Sequence, residues 1–369
     1  AAVKEVRQAA EYQKKKQACI LTGLAGSSKP VFFAAADKLL GGKGSMAFIT
    51  ASREEIRTYR RELNYLYPDL PMQELYPVSL PRVQADTQSL ELQAGRAAAL
   101  RFLSGEERGI VFITAEALQQ KQLRPSGMSG KALQLAVGEE HEQRNIAAAL
   151  LDLGYERTEQ VDALGQFCLR GDILDVYPIN SSAAVRIEWF DNELDAMRSF
   201  DVDTQRSLQT LTSIKIAPLK VDESFSYDAD IFEYCAADTM VVVDEPVHLF
   251  SMLEKLDKEN KEHASELFGK QELIEQLAAN GAVLVSALGH SYLQQLPSLN
   301  IPVRAVAPYN KNTNLLVEDL QNWLAEGITP LIMLSGSIKA RGFADNLRNY
   351  GLKGHFAQKS FEPRVVNVT

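Results

Sequence analysis

The first third of the chain alternates short apolar runs with stretches of helical periodicity. The apolar runs lie at residues 18–21, 47–50 and 109–114. Runs of this length predict buried strands. Between the last two runs, leucine and alanine recur at helical spacing over residues 92–103, which predicts a helix. Alternating strands and helices predict a parallel sheet with helices on both faces, so the predicted fold class is α/β.

The pattern changes in the middle of the chain. After a cluster of structure-breaking residues at 124–127, residues 141–153 carry one apolar helical face. Strand patterns follow at residues 166–177, 184–190 and 193–200. Asp191 and Asn192 suit a tight hairpin between the last two strands, because both residues tolerate left-handed backbone. This section predicts a small, mainly antiparallel α+β domain.

The last section, from about Lys215, returns to the first pattern. Strands are predicted at residues 240–243, 282–288, 303–307 and 331–334. A helical stripe of Leu316, Leu320, Trp323 and Leu324 lies between the last two. Two arrangements follow. Either the first and last sections share one sheet, with the middle section inserted, or three domains follow one another. Periodicity does not choose between them.

Composition limits the class of function. The chain has 369 residues, which predicts two or three domains. Its formal net charge is −9, and residues 151–210 carry five basic and twelve acidic side chains. A protein that held DNA through its phosphates would need a basic groove. We expect this acidic stretch to repel nucleic acid and to attract a basic protein surface.

The cysteine spacing, the lengths of the apolar stretches and the polar start of the chain indicate where in the cell the protein is located. Cys19, Cys168 and Cys235 are far apart, and no pair has metal-ligand spacing, so we expect structural thiols in a reducing cytoplasm and no metal. No apolar stretch is long enough to span a bilayer, and the polar start has no secretory apolar region behind it. We expect a cytoplasmic protein without a membrane partner.

The first strand leads into a glycine-rich loop, Gly23-Leu24-Ala25-Gly26-Ser27-Ser28-Lys29-Pro30. The working phosphate loop is G-x-x-x-x-G-K-[ST]. Ser28 stands where a glycine would let the backbone wrap the phosphates, and Pro30 stands where a hydroxyl would hold Mg²⁺. Lys29 and the remaining amides could bind nucleotide weakly, or the loop only joins strand to helix. The missing Mg²⁺ ligand favours the second interpretation.

A second ATPase-like fragment is the apolar run that ends in Asp244 and Glu245. Such a strand resembles the one that positions Mg²⁺ and water in these ATPases. The other interpretation is a buried strand whose acids begin the next helix, and Pro30 favours it. We therefore expect a degenerate nucleotide site with no catalytic residue and no cofactor.

The strand at residues 185–190 has two different faces. Its odd-numbered residues form an apolar face, whereas Arg186, Glu188 and Phe190 share the other. Arginine and aromatic residues are enriched in binding hot spots, but single exposed apolar residues are also common, so packing of Phe190 on its own hairpin stays open. Arg170 either pairs with a local acid or anchors a partner carboxylate.

Long stretches of the middle section resemble a known family. They are residues 166–178, 185–195 and 200–208. Residues 22–27, 309–312 and 315–320 are also similar to it. The family is the UvrB-homology region of bacterial transcription-repair coupling factors. The resemblance covers most of the chain, and the middle motif is its specific part.

The resemblance implies a fold and its division. It implies a P-loop-NTPase-like (RecA-like) parallel sheet region that lacks a working nucleotide site, with a small α+β domain inserted. Domain 1a would cover residues 1–121, domain 2 residues 122–214 and domain 1b residues 215–369.

The resemblance also implies a partner. Domain 2 of the family binds UvrA, the damage-recognition ATPase of nucleotide excision repair. Arg170, Arg186 and Phe190 match the family's UvrA-contacting positions, and Glu188 matches a contact position of the related protein UvrB. Cys168 departs from the further arginine that UvrB-like sequences tend to carry. In the family the chain continues past residue 369, and RNA polymerase, DNA and ATP-driven translocation would belong to that continuation.

The expected function is thus a non-catalytic module that recruits UvrA in transcription-coupled repair. The alternative is a divergent ATP-binding helicase domain of a UvrB-type damage-recognition protein. UvrB has an intact phosphate loop and an aromatic-rich hairpin that clamps DNA. Residues 76–109 here carry no aromatic cluster, so both differences favour the coupling factors.

Overall fold

A computed structural model gives the fold of the chain. It describes residues 2–24, 26, 28–39, 41–81, 89–125, 132–219, 226–287, 295–301, 303, 308–310, 312–357, 360 and 362–369. The chain divides into two compact units, residues 1–303 and residues 304–369.

Strands and helices alternate in the first and last parts of the chain, and the middle part is mainly strands. The strands are β1 Cys19–Thr22, β2 Met46–Thr50, β3 Met72–Leu75, β4 Ile110–Thr114, β5 Gln122–Leu123, β6 Leu133–Ala136, β7 Glu156–Arg157, β8 Gln166–Arg170, β9 Ile173–Val176, β10 Ala184–Phe190, β11 Glu193–Phe200, β12 Ser207–Leu211, β13 Ser213–Ile216, β14 Tyr227–Ala229, β15 Met240–Asp244, β16 Val283–Ser286, β17 Ser298–Asn300, β18 Leu331–Ile332, β19 Gly354–Phe356 and β20 Val366–Val368. The α-helices are α1 Ala2–Lys14, α2 Ser28–Leu39, α3 Arg53–Leu66, α4 Leu90–Ser104, α5 Ala115–Gln119, α6 Gln143–Asp152, α7 Pro246–Glu259, α8 Lys270–Ala279, α9 Thr313–Ala325 and α10 Ser337–Asn346.

A large parallel sheet dominates the first unit. Within the described residues its strand order is β17-β1-β16-β15-β2-β4-β3, and every neighbouring pair is parallel. Strands from residues 19–114 and from residues 240–300 therefore share one sheet. The fold is mixed α/β with a large parallel sheet, as the alternating pattern predicts.

The parallel sheet is buried on both faces, which explains its continuous apolar strands. In β2, Met46 and Phe48 pack with α1, α2 and α3 on one face. Ala47 and Ile49 pack with α4, α5, α7 and α8 on the other. Phe48 is the centre of an aromatic group: its ring lies 4.6 Å from that of Phe33, edge to face.

A six-stranded sheet lies between the two sets of parallel strands in the sequence. Its order is β12-β11-β10-β9-β8-β7, and its strands are antiparallel except for the parallel pair β7–β8. One face packs on Ile146 and Leu150 of α6. The β10–β11 hairpin turns at Asp191, whose φ is +61°, as the Asp191-Asn192 pair predicts. Both sheets belong to the first unit.

The second unit has its own core. The parallel strands β18, β20 and β19 lie side by side, and α9 and α10 cover them through Leu320 and Ala340. The predicted stripe of α9 therefore faces this small sheet.

Several predicted boundaries differ from the observed ones. The stretch predicted as strand at residues 166–177 is two strands, because Gly171, with φ at +56°, turns the chain between β8 and β9. The strand predicted at residues 303–307 falls almost wholly outside the described residues. The domain boundaries at residues 121 and 214 stay a prediction. The two compact units meet at residue 303, inside the predicted third domain.

The aromatic core of the parallel sheet supplies a test of this packing. Phe48→Ala removes a fully buried ring and should lower the free energy of unfolding by about 3–5 kcal/mol. Urea unfolding measures it. The matched control is Phe190→Ala, the same change at an exposed ring, with an expected change within about 0.5 kcal/mol. Equal effects of the two changes would contradict the packing.

Candidate functional site

Four predicted residues, Arg170, Arg186, Glu188 and Phe190, belong to neighbouring strands of the six-stranded sheet. Arg186 of β10 lies opposite Asp175 of β9. Glu188 of β10 and Arg170 of β8 both lie opposite Ile173 of β9. Residues directly opposite each other share a sheet face, so Arg170, Arg186 and Glu188 are on one face. We call this surface, with Phe190, the arginine face.

A buried carboxylate joins the two arginines. Asp175 is 2% exposed. Its Oδ1 accepts a hydrogen bond from Arg186 Nε at 2.6 Å. Its Oδ2 accepts from Arg186 Nη2 at 2.8 Å and from Arg170 Nη2 at 3.0 Å. Burying a carboxylate so deeply is costly unless it is paired and hydrogen-bonded, as Asp175 is by the two arginines.

Arg186 is held from several sides. Besides Asp175, it donates to Gln205 Oε1 at 3.1 Å, and its guanidinium lies 4.7 Å from the centre of the Phe200 ring. Its hydrogen bonds to Asp175, against a smaller opposing effect of burial, raise the pKa of Arg186. The guanidinium therefore stays charged and fixed within the sheet face.

A second ion pair follows along the same face. Arg198 of β11 donates to Glu188 Oε1, and both side chains are about one-third exposed. Arg198 also lies directly opposite Arg186. The sequence reasoning missed Arg198 and Asp175. The two-residue hairpin at Asp191 and Asn192 would by itself place residue 197 opposite Arg186. A register shift between Glu188 and Trp189 brings Arg198 there instead, so the sequence held no usable signal for Arg198.

Phe190 projects from the end of β10. It is 77% exposed, whereas Val185, Ile187 and Trp189 of the same strand are buried, as alternation predicts. Leu194 is fully buried in the core of the domain. The hairpin therefore does not cover Phe190, and an apolar ring stands in solvent beside the charged row.

The glycine-rich loop follows strand β1 of the parallel sheet and leads into α2. Gly23 has φ at +87°, and a Cβ there would lie 2.5 Å from the carbonyl oxygen of Ile301. Glycine is needed at this position for close backbone approach. Gly26 also has positive φ, at +52°. The close approach to Ile301 therefore explains glycine at position 23 without any bound phosphate.

Ser28 and Pro30 stand in the first turn of α2. Proline suits this turn because the first backbone N–H groups of a helix have no partner within it. The same substitution removes one of the donors with which a helix N-terminus binds phosphate. A proline side chain also offers no oxygen to a metal ion.

Lys29 is brought to the two acids of the second ATPase-like fragment. Its Nζ donates to Asp244 Oδ1 at 2.6 Å and to Glu245 Oε1 at 2.7 Å. Lys29 and Asp244 are buried. Glu245 also accepts from Ser286 Oγ at 3.2 Å and from the amide of Ala287 at 3.0 Å. We call Lys29, Asp244 and Glu245 the ion triad.

Electrostatics favour the charged forms of Lys29 and Glu245. Burial lowers the pKa of Lys29, but the hydrogen bonds and charges of Asp244 and Glu245 outweigh it and raise the pKa overall. Burial raises the pKa of Glu245, but Lys29, the Ala287 amide and Ser286 outweigh it and lower the pKa. Burial, and then Asp244, raise the pKa of Tyr59 beside the triad.

Neither a metal centre nor a membrane span is found in the described part of the chain. There, no group of three or more His, Cys, Asp or Glu residues could hold a metal ion. No helix in those ranges is long and apolar enough to cross a bilayer. The predicted site residues thus form two separate sets, the arginine face on the six-stranded sheet and the ion triad on the parallel sheet.

Comparison with known proteins identifies the part of the chain that carries the arginine face. Residues 133–221 match the family model of the UvrB interaction domain. The chain is 36% identical over 203 residues to the transcription-repair-coupling factor of Bacillus subtilis, a match that covers 54% of this chain and 17% of that relative. It is 28% identical over 165 residues to that of Escherichia coli, covering 45% of this chain and 14% of the relative.

The match to Haemophilus influenzae is of the same kind, with 30% identity over 169 residues, 45% of this chain and 14% of the relative. All three relatives carry the same name, transcription-repair-coupling factor. The matched part of this chain corresponds to about a sixth of their length or less. The resemblance predicted from the sequence is confirmed: the chain is similar to transcription-repair-coupling factors, and its middle section is similar to the UvrB interaction domain.

Proposed function

We propose that this chain is a non-catalytic module that recruits UvrA through the arginine face during transcription-coupled DNA repair. The observation that carries the proposal is Phe190, an aromatic ring 77% exposed beside a row of ordered arginines. This ring and these arginines lie within the residues similar to the UvrB interaction domain.

The physical chemistry of the arginine face supports a protein partner. Exposed aromatic and arginine side chains dominate the binding energy of many interfaces. The row is already ordered by Asp175 and Glu188, so binding would cost little side-chain entropy. The chain as a whole has a net charge of −9, which disfavours a nucleic-acid backbone as the partner.

The contacts of Lys29 and the chemistry of Pro30 disfavour the alternative, an ATP-binding domain. Lys29 would have to leave two carboxylates to bind a phosphate, and Pro30 offers no metal ligand. We therefore infer that these residues neither bind nor hydrolyse ATP. Binding of RNA polymerase and translocation on DNA would be carried out by parts of a longer parent protein, and the module would act in the cytoplasm.

The proposed interface makes Phe190 a hot spot for UvrA. Phe190→Ala should weaken binding of purified UvrA by at least tenfold, because a hot-spot aromatic contributes about 2 kcal/mol or more. Titration calorimetry or surface plasmon resonance with immobilised chain measures the affinity.

Leu208→Ala is the matched control. Leu208 is also an exposed apolar residue of the same sheet, on strand β12 at its edge, and its change should leave the affinity within about twofold. An unchanged affinity for Phe190→Ala would remove Phe190 from the interface. No binding of UvrA to the unmodified chain would remove the proposed function.

The ion triad predicts a large loss of folding stability when its cation is removed. Lys29→Met leaves Asp244 and Glu245 without their cation and should lower the free energy of unfolding by about 3–5 kcal/mol at pH 7. Urea unfolding measures it. The control is Lys38→Met, an exposed lysine of the same helix, with an expected change within about 0.5 kcal/mol.

The pH dependence of this loss follows from the pKa shifts. Glu245 has a lowered pKa when folded, so its contribution is present above its ordinary pKa of 4.5 and is lost as pH falls. Lys29 has a raised pKa, so its contribution is present below 10.5 and is lost at higher pH. The effect of Lys29→Met should therefore shrink as the pH falls below 4.5 towards the lowered pKa of Glu245, where that carboxylate becomes protonated. A loss independent of pH would contradict the triad.

A further inference from the structure

The two arginines of the arginine face are bound to the same carboxylate in different ways. Arg186 makes two hydrogen bonds to Asp175, one to each oxygen. Arg170 makes one, to an oxygen that Arg186 already occupies. The Arg186 side chain is 17% exposed, and the Arg170 side chain is 52% exposed.

This difference decides which arginine is available to a partner. Arg186 also donates to Gln205 and stacks on Phe200, so a partner that took it would break several contacts at once. It would also leave Asp175 buried and poorly compensated. Arg170 can leave Asp175 while both oxygens of the carboxylate keep a hydrogen bond from Arg186.

We propose that Asp175 is the positioning residue of this surface. It fixes Arg186 within the sheet and holds Arg170 by a single bond, which Arg170 exchanges for a carboxylate of the partner. The proposal rests on the proposed function, in which that partner is UvrA. The proposal gives the two arginines different roles, whereas the sequence analysis expected both to contact the partner. Arg170 touches the partner, and Arg186 acts mainly by holding the arginine face in place.

The geometry explains why the exchange is inexpensive. Arg170 is half exposed, and ion pairs at such positions are weak because water screens them. A carboxylate that approaches Arg170 from solvent meets a guanidinium already oriented by Asp175, and it gains a charge-assisted bond that excludes water. Phe190 stands on the same face and would enter an apolar pocket beside that carboxylate. The expected complementary patch is therefore acidic with an apolar centre.

The test uses the affinity for UvrA as a function of salt. For the unmodified chain, the dissociation constant should rise with NaCl between 50 and 300 mM, because the contact is between charges. Arg170→Gln should weaken binding about tenfold and flatten this salt dependence. It should leave the urea midpoint of unfolding unchanged, since Asp175 keeps both of its bonds to Arg186.

Asp175→Asn tests the positioning role directly. It should weaken binding about tenfold. In the Arg170→Gln background its effect should be smaller than in the unmodified chain, because part of the effect acts through Arg170 and only the rest acts through Arg186. Asp175→Asn combined with Phe190→Ala should instead give the product of the two single effects. The control Asp195→Asn makes the same charge change at an exposed acid of the same sheet and should have no effect.

The outcomes distinguish failure of the proposed UvrA binding from failure of the positioning role of Asp175. If the unmodified chain does not bind UvrA, the proposed function fails. If it binds and Asp175→Asn binds equally well, or if the Asp175 and Arg170 effects multiply, the positioning role is wrong. If Asp175→Asn does not fold, the salt dependence of Arg170→Gln decides, and a slope equal to that of the unmodified chain would overturn the proposal.

Discussion

The structure depends most on the bond between one buried ammonium and two carboxylates. Lys29 at the start of α2 and Asp244 at the end of β15 are 215 residues apart, and their ion pair joins the two sets of strands that share the parallel sheet. It also lies at the carboxyl ends of the strands, where ligands bind in open α/β sheets. The interaction that stabilises the sheet therefore engages the lysine that a phosphate would need.

The ion triad and the arginine face are both built around a buried carboxylate that pairs with a basic side chain. In each, a buried acid holds a basic side chain whose charge would otherwise be costly to bury. In the ion triad both Lys29 and Asp244 are buried, so the cluster is closed. On the arginine face Asp175 is buried but Arg170 is half exposed, so the cluster is open to a partner. Exposure, and not charge, separates the structural cluster from the candidate interface.

Much of the fold could be predicted from local patterns. The apolar runs of β2, β4 and β15 predict buried parallel strands, and alternation along β10 places Arg186 and Phe190 opposite the buried core. Local patterns do not contain cross-strand register, so Asp175, which completes the arginine face from the next strand, was missed. The pairing of Lys29 with Glu245 was missed for the same reason, since it joins residues that only the folded sheet brings together.

Calorimetric titration of the chain with Mg²⁺-ATP tests the central claim, that the ion triad closes the nucleotide position and leaves docking as the chain's activity. Breaking the ion pairs of Lys29 with buried Asp244 and partly buried Glu245 should cost more free energy than Lys29 gains from a phosphate that has no metal ligand beside it. We expect no saturable binding up to about 1 mM nucleotide, equivalent to a binding free energy weaker than about −4 kcal/mol. Tight, Mg²⁺-dependent binding that disappears in Lys29→Met would contradict it.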